Sequence, residues 1–79
     1  MSQEFDKQLG AALREKRKER GLSQQLVADA VGVSKNMVSH WELGKRSLYA
    51  EELESFCKIC GVTIQETFEA MSKKGPAKP

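Results

Sequence analysis

Few side chains in this sequence could do covalent chemistry, and their spacing removes most of the reactions they suggest. There is one histidine, His40, and there are two cysteines, Cys57 and Cys60. No Ser/His/Asp set, glycine-rich phosphate loop or metal-spaced cluster can be assembled from the rest. Cys57-x-x-Cys60 invites a redox or zinc reading. A reactive thiolate favours the start of a helix, and this pair falls at the end of one. Two cysteines with one distant histidine are also too few for a structural zinc site. Both read as small core residues of a protein in a reducing compartment. The expectation is a protein that is not an enzyme and needs no cofactor or metal.

What remains is the chemistry of charge and hydrogen bonding. The net charge of +2 is unevenly spread: residues 1–46 hold nine Lys/Arg against six Asp/Glu, residues 47–71 hold one against five, and 72–79 add three lysines. A basic amino-terminal half suits a polyanion and an acidic carboxyl half does not. So small a total argues against a purely electrostatic binder of nucleic acid. No apolar run is long enough for a membrane span, so no membrane partner is expected. The opening MSQEFDKQ lacks the charged-then-apolar order of an export signal, which points to a cytoplasmic address. A chain of 79 residues is expected to form one small domain, without room for a ligand-sensing unit. No small-molecule ligand is expected.

The elements that must position these groups centre on Leu22–Leu43, LSQQLVADAVGVSKNMVSHWEL. Ser23 is a plausible N-cap, and apolar residues at 27, 28 and 31 give one buried face. Gly32 closes that helix and Val33 plugs the corner. Ser34 caps a second helix whose inner face is Val38 and Trp41. Helix, short glycine turn and second helix make a helix-turn-helix unit, whose second helix can enter a DNA major groove. Gly21, Gly32, Gly44 and Gly61 each follow a stretch of helical periodicity. Five helices are predicted, near 3–20, 24–31, 35–43, 50–60 and 64–71. The expected fold is all-α: a compact five-helix bundle in which helices two and three form the helix-turn-helix. The domain should occupy 1–71, with 72–79 a disordered basic tail. Tyr49 stands at the cap position of the fourth helix, where Ser or Asp would be expected, whereas Thr63 and Glu66 make a capping box for the fifth.

Two charges break the apolar stripes. Phe5, Leu9 and Leu13 recur every fourth residue and the next position is Arg17; one turn beyond Val38 stands Glu42. An unpartnered buried charge would cost several kcal/mol, so Arg17 and Glu42 are predicted to pair between the first and third helices. The competing reading leaves both as solvated surface charges. Lys16 and Arg20 read as a solvated face.

The run L-S-Q-x-x-V-A-x-x-V-G-V-S-x-x-x-V-S-x-W-E-x-G-K-R resembles the lambda-repressor-like helix-turn-helix family, which includes phage repressors, Cro proteins and Xre-type regulators. The resemblance extends from about Leu9 to Phe68, since F-C-K-I-C-G-V-T-I-Q-E-T-F is similar to that family's fourth and fifth helices. It implies a dimeric regulator of transcription that binds double-stranded DNA. Carried over by position, Gln24 matches a phosphate-binding glutamine, and Ser34 a backbone or base-edge contact. Lys35, Asn36 and His40 match the variable, base-reading positions. Ser39 and Leu43 lie near sugar-phosphate, Lys45 and Arg46 match phosphate contacts, and Arg17 with Glu42 matches a buried ion pair of some members. Leu48 stands in place of a frequent proline, Tyr49 in place of a small residue, and His40 where Arg or Gln is common.

The side chains suit those roles. Asn36 can pair with adenine N6 and N7, and Lys35 can donate to guanine O6 and N7, each good contact being worth about 1–3 kcal/mol of discrimination. His40 donates from one ring nitrogen when neutral and from both when protonated, which opens a pH-dependent affinity. Met37 is either a thymine-methyl contact or a gap filler. Phosphate contacts supply most of the affinity, with Arg14 or Lys18 as further candidates. One domain reads too few base pairs to find a site, so a homodimer on a palindrome is expected, repressing transcription. Val62, Ile64, Phe68 and Met71 exceed what one small core needs and are the candidate dimer interface. Alternatively Ile64 and Phe68 close the monomer core and only Met71 is exposed. The rival function is a protein-interaction module, an antitoxin or adaptor, working through helices four and five.

Overall fold

The computed structural model describes residues 3–74, and the side chains of 3–71. All regular structure among the described residues is helical: α1 Gln3–Glu19, α2 Gln24–Val31, α3 Lys35–Leu43, α4 Ala50–Ile59 and α5 Ile64–Lys74. The last helix continues three residues beyond its expected end. Residues 75–79, the rest of the expected tail, lie outside the described part.

Short polar side chains start the helices. The Ser23 hydroxyl accepts from Leu26 N at 3.0 Å, and that of Ser34 from Met37 N at 3.1 Å. Each satisfies one of the N–H groups that a helix start leaves unpaired. Thr63 and Glu66 bond each other reciprocally, at 2.9 and 2.8 Å. Tyr49 makes no side-chain cap bond, and Glu52 instead accepts the Tyr49 N–H at 2.8 Å. The four helix-ending glycines all have positive φ.

The buried core takes residues from every helix: Leu9, Ala12 and Leu13, Val27 and Ala28, Val38 and Trp41, Phe56, Cys57 and Cys60, with Thr67 from α5. Trp41 and Phe56 face each other at 6.2 Å between centroids. Met37 packs against this cluster, partly buried, as a filler does. The sequence pattern did not place Thr67 inside. Its hydroxyl donates to the Thr63 carbonyl one turn back (3.2 Å) and lies 3.4 Å from Cys57 Sγ, so the polar group is satisfied and the methyl can be buried. Arg20 is also more than a solvated charge: its Nη1 reaches the Cys60 carbonyl at the end of α4, at 3.3 Å.

α1 is the beam that holds α3. A Cβ on Gly10 would fall on the Trp41 carbonyl oxygen and within 2.8 Å of that of Glu42. One turn away, a Cβ on Gly44 would stand 2.6 Å from Lys7 Cα, and Gly44 has φ +77°. Two glycines thus let the backbones of α1 and α3 touch. Ser47 then ties the loop after α3 to α1, donating to Asp6 Oδ2 at 2.6 Å.

Candidate nucleic-acid interface

Helix α3 has an inner and an outer face. Val38, Trp41 and Glu42 are buried, Asn36 and His40 are exposed on the other side, and Lys35 is exposed in the first turn. Ser34, at the helix start, is exposed, and the lone pair it spends on its cap leaves its O–H free to donate. Ser39 is half-buried on the flank and Leu43, one turn on, is 55% exposed. Lys45 and Arg46 are exposed in the loop that Ser47 anchors. Of the residues matched to base and backbone contacts, all but Gln24 of α2 therefore lie on α3 or at its two ends.

The pair beneath holds that helix in place. Arg17 meets Glu42 with two parallel bonds, Nε to Oε2 at 2.6 Å and Nη2 to Oε1 at 3.0 Å, and both residues are buried. Nη1 of the same guanidinium donates to the Leu22 carbonyl at 2.7 Å, so one arginine ties α1, the turn before α2, and α3. Gln24 joins them. Its Nε2 donates to Glu42 Oε1 at 2.9 Å, an arrangement that sequence reading missed by giving Gln24 and Glu42 separate partners.

Alongside α3 runs an open groove of about 850 Å³, walled by Arg14 and Lys18 of α1 on one side and by Gln24, Ser39 and Leu43 on the other. The proposed dimer residues lie elsewhere, around α5. Val62, Ile64 and Met71 are partly buried against the core. Phe68 is 42% exposed and meets Phe5 edge-on at 6.2 Å. This differs from the alternative in which Phe68 closes the core and only Met71 is exposed, because Phe68 rather than Met71 is the more exposed residue.

The cysteines are free and buried. Burial, reinforced by the neighbouring Cys57, pushes the Cys60 thiol up to about 11. Burial raises Cys57 as well, against a smaller opposing effect of the Thr67 hydroxyl. Such thiols are poor nucleophiles near neutrality. Among the described residues no group of three or more His, Cys, Asp or Glu could hold a metal ion. No described helix is long and apolar enough to cross a membrane.

A capped pair of short helices, the second exposed along one side and pinned along the other, defines a helix-turn-helix domain. The family model described as "Helix-turn-helix" matches residues 13–67. The chain belongs to the lambda-repressor-like helix-turn-helix family. It is similar to the cryptic phage CTXphi transcriptional repressor RstR of Vibrio cholerae, 41% identical over 54 residues that make up 68% of this chain. The chain spans only 49% of that relative's length. It also resembles two crystal structures of the clp gene regulator ClgR of Corynebacterium glutamicum. One has TM-score 0.84 and 29% identity over 86% of this chain and 72% of that one. The other has TM-score 0.86 and 27% identity over 92% and 95%.

Proposed function

We propose that this protein is a sequence-specific transcriptional regulator that binds double-stranded DNA by laying α3 in the major groove. The observation that carries the reading is the division of α3: Asn36 and His40 are exposed on one face and Lys35 in the first turn, while Trp41 and Glu42 are buried along the opposite face. In this reading Lys35, Asn36 and His40 read base edges, and Gln24, Ser34, Ser39, Leu43, Lys45 and Arg46 hold the backbone. The likeness to a phage repressor supports repression. A homodimer on a palindrome would place two α3 helices about one DNA turn apart, roughly 34 Å.

The test is selection from a randomised duplex pool, followed by gel shift across a salt series. A selected palindrome is the expected result. No enrichment even at low salt would overturn the reading and favour a protein-interaction module.

A further inference from the structure

Resting on the reading of α3 as the DNA-reading helix, we propose that α1 is a second DNA-binding element. In this proposal the groove between α1 and α3 seats the sugar–phosphate backbone, with Arg14 and Lys18 as its anion-binding residues.

A helix with its side chains is about 10–12 Å across and the major groove is about 12 Å wide. A helix lying in it therefore has a phosphate ridge along each flank. Ser39 and Leu43 of α3 line the groove together with Arg14 and Lys18 of α1. These two sit four residues apart, one turn of α1, so both present their charge on the same side.

Charge accounting singles them out. Arg17 is taken by Glu42 at 2.6 Å and Lys16 by Glu19 at 3.8 Å. Among the described residues neither Arg14 nor Lys18 is in an ion pair, and both are exposed. The acids on the same groove are compensated or engaged: Glu42 by Arg17, Glu19 by Lys16, and Glu15 by an interaction of its own. The charge left to face an incoming polyanion is positive. Gln24 adds a neutral donor. Glu42 Oε1 can only accept, which fixes the amide with Nε2 toward it, and the second hydrogen of that nitrogen is left to donate to a phosphate oxygen. Glu42 is in this sense a positioning residue for Gln24.

The experiment uses the full chain and the duplex selected from the random pool. Affinity is measured over a salt series for wild type, for the double variant Arg14→Ala/Lys18→Ala, and for Gln24→Ala, with thermal melts confirming that each is folded. Each phosphate released lowers the slope of log K against log salt by about 0.9. The double variant is expected to lose about 1.8 of slope on selected and random duplex alike, with its base preference unchanged. Gln24→Ala should bind more weakly with its slope intact, because a neutral donor displaces no counterion. A duplex carrying a neutral methylphosphonate at each flanking position in turn provides the second readout. Wild type should be weakened at a position where the double variant is not weakened further. A double variant that keeps the wild-type slope and the wild-type methylphosphonate penalties would overturn the α1 contact while leaving the reading of α3 standing. A wild type that selects no duplex would overturn both.

Discussion

Asn36 and Lys45 are exposed polar side chains nine positions apart, but different tasks follow from where each stands. Asn36 opens the outer face of α3, and its amide can match the two-point edge of one base. Lys45 lies beyond the helix end and offers a point charge, which any phosphate satisfies. Asn36→Ala is expected to lose about 1–3 kcal/mol of discrimination at one base position. Lys45→Ala should weaken every duplex about equally and reduce the salt slope by about 1. Binding to single-base operator variants checks both, and identical behaviour of the two mutants would refute the division of roles. Arg17 and Glu42 permit a sharper prediction about stability. Removing either partner leaves a buried charge alone, so Arg17→Ala or Glu42→Ala should cost about 3–5 kcal/mol in chemical denaturation. The double replacement Arg17→Met/Glu42→Leu should recover most of that loss. This pair was legible in the sequence because each charge interrupts an apolar stripe at helical spacing. The Gln24–Glu42 bond was not, because spacing within a helix says nothing about which neighbour a polar side chain meets across helices.

At the scale of elements, the helix boundaries were readable from caps and glycines, whereas the joint between α1 and α3 was not. A glycine inside a helix looks like a mild flaw, worth about 1 kcal/mol against alanine. Gly10 is instead the point where α1 lets the α3 carbonyls touch it. Gly10→Ala should therefore destabilise, by about 1–3 kcal/mol as overpacked sites do, although alanine is the better helix former. It should also displace α3 and weaken operator binding. A variant more stable than wild type in urea would show that the contact is looser than it looks. Helix α4 offers a prediction in pH. An unfolded Cys60 thiol ionises near its ordinary 9.0 and the folded one only near about 11. Below pH 9 both states hold the proton, so the full contribution is present. Between the two values the unfolded state loses its proton first, and stability falls as pH rises, by at most about 2–3 kcal/mol from this group. Cys60→Ala should show a smaller drop in denaturation midpoint between about pH 8 and about pH 10.5 than wild type shows.

For the whole molecule, the question is how one small domain obtains enough contacts to find a site. The sequence already showed a basic half carrying the helix-turn-helix and an acidic half behind it, an asymmetry that would orient the domain on a polyanion. It did not show which apolar residues of α5 stay outside, because Thr67 takes the inner place that residue type alone would give to Phe68. Phe68 is left 42% exposed on Phe5, and Lys7, Gln8, Ala11 and Met71 line an apolar pit between α1 and α5. If two copies pair through this face, Phe68→Glu places two like charges in an apolar contact and should abolish the dimer. The fold should tolerate the change, since the side chain is 42% exposed and is not one of the buried core residues. On a single half-site the variant should bind as wild type does. On the palindrome it should lose the linked second contact and bind roughly a hundredfold more weakly. Sedimentation at the concentrations of the binding assay would show whether the mass halves. A variant that keeps wild-type affinity for the palindrome would remove α5 from the interface, while the assignment of α3 would be untouched.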